Sequence, residues 1–374
     1  MVYEIDESCL TALKTNDSNS IAFLEQLALD RRKCKNIIVA KRQVFEELSK
    51  MTCFFNVTRK LYSIMENRAS EQKMILKSTK RYCRLVAQNQ GNTIIYKNQK
   101  EIIILEICNN TLKDFTEKTL MLAENEDDIS FYKMLGQFYV RESKIGKIKI
   151  DFEPRNGGGS TTYGVLQRII EEKNRMCLCI VDSDKKYGNA EPRETMQKVK
   201  EIANRNMQDY FEVILLDVHE IENLIPINVL EQIIKKLNIS KQGIDFMRFL
   251  VREDCSLESP VFYFDLKKGI PLKAYFLEED ADKERERKYR KLSAYRKYWR
   301  PYIEKFGVKI EDKNDYIIEG ICDKTLRHAL DYFNDIKKQE KLESFEIEPY
   351  LKNSWMEIGE KVYCWGCVGG RIAI

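Results

Sequence analysis

MCLCIVDSD, residues 176–184, is an apolar run that ends in two acids. A run with no polar face reads as a strand covered on both sides, and such strands belong to parallel sheets flanked by helices. The pattern repeats on either side. Upstream, LMLA is closed by Glu124; downstream, FEVILLD spans 211–217. KIKIDF (147–152) reads as a further strand between the first and third. Helical spacing fills the intervals near 127–139, 166–172 and 194–204. Alternating strand and helix predicts an α/β domain over 116–240 with a central parallel sheet. Right-handed crossovers place all strand C-termini on one edge, where functional residues of such sheets gather.

The acids follow that edge. Glu124 closes the first strand and Asp128 lies one helical turn on. Asp182 and Asp184 close the third strand, and Glu222 follows the fourth in the segment His219-Glu-Ile-Glu-Asn. Clustered carboxylates repel one another and persist where a cation neutralises them. An oxygen-only set favours Mg²⁺ or Mn²⁺. Two such ions, ~3.5–4 Å apart, activate water and stabilise the leaving oxygen of a phosphodiester. The expected metal ligands are Glu124, Asp128, Asp182, Asp184 and Glu222. The expected catalytic group is Glu124, Asp182, Asp184 and Lys185. A single Asp-x-Asp is commonly a surface turn; recurrence at three strand ends carries the expectation. Lys185 and Lys186 have two readings, neutralisation of transition-state charge or ordinary exposed lysines. The glycine loop Asn156–Ser160 matches neither a Walker A nor a Rossmann fingerprint. It reads either as a phosphate contact at a helix start or as a tight connection.

The two flanking regions differ. Residues 1–115 mix helical spacing (21–29, 44–51) with short strands and a hairpin over 92–107, an α+β region of unassigned role. The basic cluster Arg31, Arg32, Lys33, Lys35 reads as a solvated helix end. Residues 241–374 are expected to be mainly helical. Within them, 283–305 interleaves cations with Tyr289, Tyr295, Tyr298, Trp299 and Tyr302. Arg290, Lys291, Arg296 and Lys297, together with Lys186, are the expected nucleic-acid contacts. The alternative is a solvated helix with its rings in the core. Cys364-Trp-Gly-Cys367 lacks the two further ligands of a structural zinc and reads as buried thiols. The closing segment 355–374 is expected to pack back on the fold.

Composition narrows the chemistry. The 374 residues carry a net charge of +4 and 33% charged side chains, a globular balance that permits a nucleic-acid surface without announcing one. Only His219 and His328 are present, which excludes a histidine-rich zinc site. Eleven scattered cysteines, an acidic start without a signal-peptide core and no membrane-length apolar run lead to an expectation of a cytoplasmic protein with no membrane partner.

Over about 118–240 the chain resembles the TOPRIM domain, in particular the OLD-type and stand-alone TOPRIM nucleases of bacterial anti-phage systems, the group that holds the TOPRIM component of the PARIS system. The opening Ala123-Glu-Asn-Glu-Asp-Asp-Ile-Ser-Phe-Tyr132 is similar to that family's apolar-Glu-Gly-x-x-Asp-x-x-Phe-Tyr. Val181-Asp-Ser-Asp184 resembles its Asp-x-Asp, and His219–Leu224 its Glu-Ile-Glu-Asn segment. The departure is Asn125, where the family has glycine; asparagine tolerates the left-handed region better than most residues. The resemblance implies Glu124 as metal ligand or general acid/base, Asp182 and Asp184 as Mg²⁺ ligands, and Asp128 and Glu222 as completing the set. It also implies a partner ATPase or sensor, since the chain has no Walker A of its own. The expected function is thus a Mg²⁺-dependent endonuclease acting on DNA or RNA as a defence effector, possible also as a homo-oligomer. Two other readings stand beside it. One is a TOPRIM-like scaffold that has lost catalysis; the other, a glycosyltransferase using Asp182 and Asp184, leaves Glu124 and Glu222 unexplained.

Overall fold

The computed structural model describes residues 1–88, 91, 93–108, 114–206, 210–256, 258–272, 283–308, 315–338, 345 and 347–372. It divides into two compact units. The first comprises Met1–Ile180, Val199–Ile214 and Trp355–Ile374; the second comprises Val181–Lys198 and Leu215–Ser354. The division passes through the stretch expected as one catalytic domain. Among the described residues no helix is long and apolar enough to cross a membrane.

The first unit begins with β1 (Val2–Ile5), α1 (Ser8–Lys14), α2 (Ser18–Arg32), β2 (Ile37–Ala40), α3 (Arg42–Lys50), α4 (Asn56–Asn67) and α5 (Ala69–Ser78). It continues with β3 (Arg81–Val86), β4 (Thr93–Lys97) and β5 (Lys100–Glu106). These strands form a sheet of order β2-β1-β3-β5-β4. All pairings are parallel except β4 with β5. The hairpin expected over 92–107 is this β4–β5 pair. Its two-residue turn, Asn98 (φ 52°) and Gln99 (φ 61°), has both residues left-handed, the turn whose twist suits two antiparallel strands. Short strands are expected in this region, and their parallel pairing is the addition, since runs as short as VYEI and IIVA cannot be told from buried helix by periodicity.

A second sheet has the order β10-β9-β6-β8. Its strands are β6 (Leu120–Ala123), β8 (Glu153–Asn156), β9 (Cys177–Val181) and β10 (Phe211–Leu215), with α6 (Glu126–Glu142), α7 (Thr162–Glu172) and α8 (Glu194–Arg205) between them. β6 runs parallel to both neighbours. Every residue of β6 and β9 is buried, and each fully buried Leu or Ile contributes roughly 1.5–3 kcal/mol. One element differs from expectation. KIKIDF supplies only β7 (Lys149–Ile150), which pairs antiparallel with β13 (Cys367–Val368). The partner of β6 is the polar segment Glu153–Asn156. A strand holding Pro154 lacks one ladder donor, and its place at the sheet edge removes that cost.

The C-terminal segment does return to the first unit. α13 (Pro349–Gly366) carries Trp355, whose ring meets Phe131 and Phe138 of α6 edge-on at 5.8 and 5.1 Å. The chain's amino group donates to the Cys367 carbonyl at 2.7 Å. Arg31, expected in a solvated cluster, is buried and donates to the Gly370 carbonyl. Cys364 and Cys367 are buried free thiols, and burial pushes Cys364 up to about 12.

The second unit is mostly helical: α9 (Ile227–Leu237), α10 (Gln242–Glu253), α11 (Lys283–Phe306) and α12 (Thr325–Lys338), with the antiparallel pair β11 (Gly269–Pro271) and β12 (Tyr316–Glu319). Trp299 of α11 is 1% exposed and lies among the rings of Phe246, Phe264, Tyr295 and Tyr302. The chain is therefore mixed α/β with parallel-rich sheets and helices.

Candidate functional site

In the first unit, Glu124 is the residue after the last of β6, and its side chain is exposed. Asn125 then caps α6. Its side-chain oxygen accepts from the N–H groups of Asp127 (2.9 Å) and Asp128 (3.1 Å). The Asp128 carboxylate accepts in return from the Asn125 N–H at 3.1 Å. This reciprocal box satisfies donors that a helix start otherwise leaves open. Asn125 sits at φ −148°, so no left-handed turn is needed where the resembling family has glycine. Asp128 is buried and engaged in the helix start.

The glycine loop lies beside Glu124. Gly157 and Gly158 donate their N–H groups to the carbonyls of Ala123 (2.7 Å) and Glu124 (3.1 Å). Those two amides thus tie β8 to β6 and are not available to a phosphate. Gly159 has φ +64°, and a Cβ there would stand 3.2 Å from Glu124 Oε1. The tight-connection reading describes this loop.

In the second unit, a denser group surrounds Asp182–Lys185. Asp182 follows the last residue of β9 and accepts from the Ile221 N–H at 3.2 Å. Asp184 adopts φ +53°, a left-handed conformation uncommon outside glycine. Its N–H donates to the His219 carbonyl at 2.8 Å. Arg193 approaches its carboxylate at 3.4 Å, but burial outweighs the cation and holds the Asp184 carboxyl above its ordinary range. Ser183 is fully buried and donates to the Val218 carbonyl. Lys185 pairs with Asp217.

Glu222 lies in a short 3-10 turn, Ile221–Leu224, and is 5% exposed. Lys267 stands between Glu220 and Glu222, 3.0 and 3.1 Å from their carboxylates. Glu222 Oε2 is buried without a hydrogen-bond partner. Burial pushes the Glu222 carboxyl up; Lys267 opposes that, but one ammonium is shared between two carboxylates. Lys267 itself would be lowered by burial, yet Glu222 and Glu220 hold it above its ordinary value. His219 is 2% exposed, and neither ring nitrogen has a hydrogen-bond partner. Its Nε2 is 3.7 Å from Asp265, beyond hydrogen-bond length. Burial raises the Asp265 carboxyl, while His219 and the Lys268 N–H at 2.8 Å bring it below the usual carboxylate range.

Of the expected nucleic-acid contacts, Lys186 and Lys297 are exposed and Arg296 is half-buried. The side chains of Arg290 and Lys291 lie outside the described ones. The Trp299 ring packs inward and its indole N–H donates to the Lys186 carbonyl at 2.9 Å, so this ring is not a platform for bases.

The oxygen donors suit a hard divalent cation in kind. Their arrangement does not: among the described residues, no group of three or more His, Cys, Asp or Glu side chains is placed to hold a metal ion. The residues that sequence reading missed are Glu220, Asp265 and Lys267. Glu220 stood in the segment already singled out. Asp-Leu-Lys (265–267) closes the apolar run VFYF much as Asp-Ser-Asp closes MCLCIV, and that pattern could have drawn attention to it, although the run forms a 3-10 turn, Pro260–Tyr263, and not a strand. A comparison of the chain with protein families, curated proteins and solved structures finds no match.

Proposed function

We propose that this chain is a nuclease with a TOPRIM-like catalytic region, working on DNA or RNA as the effector of a defence system. The observation that supports it most is positional. Glu124 and Asp182 are the first residues beyond β6 and β9, neighbouring parallel strands in register from Leu120↔Cys177 to Leu122↔Cys179. Beside Asp182, the second unit holds two carboxyls that burial raises, the half-buried Asp184 and the buried Glu222, next to the buried His219 ring. Buried charge is costly to keep, and groups so perturbed concentrate at functional sites.

Mg²⁺ or Mn²⁺ is part of the proposal on donor chemistry alone. As arranged, the carboxylates do not assemble an ion's ligand shell, so no catalytic step is assigned to one. A bound divalent ion would lower the pKa of water and stabilise the leaving oxygen. Glu124 in the first unit and Asp182 and Asp184 in the second are the proposed principal groups, and Lys185, Asp128 and Glu222, which pair with Asp217, the start of α6 and Lys267, are the further proposed ones. An ATPase or sensor protein is the proposed partner.

One observation favours a second reading, a binding or scaffold subunit without catalysis. Lys267 neutralises Glu220 and Glu222 from within the chain. A cleavage assay separates the two. Plasmid, single-stranded DNA and tRNA are incubated with the purified chain in Mg²⁺ and in Mn²⁺, with and without a candidate ATPase. The nuclease reading expects cutting that EDTA stops. Intact substrates under every condition would leave the scaffold reading.

A further inference from the structure

The edges of the first sheet are unequal. At one end, β2 is buried at every residue. At the other, β4 (Thr93-Ile-Ile-Tyr-Lys97) is exposed at every residue but Ile94, which is half-buried. Ile95 and Tyr96 are 38% and 78% exposed. β8, an edge of the second sheet, carries Pro154, Glu153 and Arg155, features that discourage further pairing. β4 has no proline, and its only charged residue stands at its end. We propose that β4 pairs antiparallel with β4 of a second copy of the chain, across a two-fold axis at Ile95.

The hairpin decides which backbone groups are open. Its two-residue turn makes Lys97 and Lys100 the closing hydrogen-bonded pair. Bonded and non-bonded pairs alternate, so Ile95 and Ile102 are the next bonded pair. Ile94 and Tyr96 occupy the non-bonded positions, and their N–H and C=O groups point away from β5. Among the described residues these groups have no hydrogen-bond partner outside the hairpin. Open edge groups of this kind are a template for another strand.

The register favours a second copy as that strand. Ile94 and Tyr96 are symmetric about Ile95. With Ile95 on the axis, Ile94 of each copy faces Tyr96 of the other, and every open N–H and C=O of both residues is satisfied. The side chains agree with this register. Each Ile94–Tyr96 pair sets a β-branched side chain against an aromatic one, a favourable cross-strand combination. The two Ile95 side chains meet at a non-bonded position, where opposite residues come closest, and cover apolar surface that is otherwise exposed. Lys97 faces Thr93, so no like charges meet. Parallel pairing of the same strands in register would instead set Lys97 beside Lys97. The contact falls well short of the ~1,600 Å² of a standard interface, so the dimer is weak and reversible.

Sedimentation velocity of the full chain over a concentration series tests this. The parent is expected to pass from monomer to dimer as concentration rises. Ile95→Lys and Ile95→Glu each place like charges on the axis and are expected to weaken the dimer by at least about tenfold. An equimolar mixture of the two is expected to regain association, because only the mixed pair sets opposite charges face to face. Tyr96→Pro removes an outward N–H while leaving the β4–β5 bonds in place. It is expected to weaken the dimer with little change in melting temperature. A parent that stays monomeric at every concentration overturns the proposal and leaves the edge to a strand of another protein. A dimer that Ile95→Lys leaves unchanged, or a mixture that associates no better than its components, overturns it too. If the Ile95 variants do not fold, Tyr96→Pro carries the same criterion. None of these readouts depends on cleavage.

Discussion

The acids after β6 and the acids around β9 and β10 carry the same charge and occupy the same kind of place, a strand end, yet they are held differently. After β6, Asp128 is locked in a reciprocal box with Asn125, and its burial is explained by the start of α6. After β9, Asp184 is half-buried in a left-handed conformation, Glu222 has an oxygen without a hydrogen bond, and neither ring nitrogen of His219 is hydrogen-bonded. The first arrangement is what a helix needs. The second is what stability alone would remove. An acid at a strand end is thus informative only when its hydrogen bonds leave something unexplained.

The sharpest way to break this contrast is at Lys267. Lys267→Met leaves Glu222 buried beside Glu220 without its cation, which is expected to cost about 3 kcal/mol. Urea unfolding of Lys267→Met, Glu222→Gln and the double variant should show most of that loss restored in the double. Additive losses would mean that the pair is not coupled as described.

At the other strand end the effects should be smaller and purely structural. Asn125→Ala removes the cap of α6 and is expected to cost about 1 kcal/mol, Asn125→Gly only a few tenths. A glycine variant as damaged as the alanine one, by thermal melting, would contradict the capping role.

The smallest effect is the pH response of Asp184. Its folded pKa is raised, so between the ordinary carboxylate value of about 4 and the raised value the folded chain binds more protons than the unfolded one. That carboxyl's contribution therefore falls as pH rises through the window. Asp184→Asn, which tolerates the left-handed conformation, should gain stability relative to the parent as pH goes from 4 to 7. A constant difference across that range would show that Asp184 is not perturbed by burial.

Much of this was legible from periodicity. The runs LMLA and MCLCIV are fully buried strands because nothing in them is polar, and the helices beginning near 127, 162 and 194 follow the expected spacing. The edge strand was not legible. Glu-Pro-Arg-Asn pairs with β6 through its backbone, and a polar, proline-containing segment carries no strand signal. The site was legible in part. Strand ends located Asp182, Asp184 and Glu222, but the partners that decide their roles come from far along the chain, Lys267 and Asp265, and no local spacing encodes a long-range ion pair. Asp128 shows the converse: its position matched the pattern, while the capping box that employs it is a local motif readable from Asn125 and Asp128 alone.

The contrast between the two strand ends meets its most direct test in a pair of neutral substitutions, Asp182→Asn and Asp128→Asn, assayed side by side for nucleic-acid cleavage in Mn²⁺. The account predicts that Asp182→Asn lowers the cleavage rate by about a hundredfold or more, the order of a lost transition-state interaction. Asp128→Asn should cut at close to the parent rate and lose only stability. Equal cutting by parent and Asp182→Asn, or loss of cutting in folded Asp128→Asn, would contradict it.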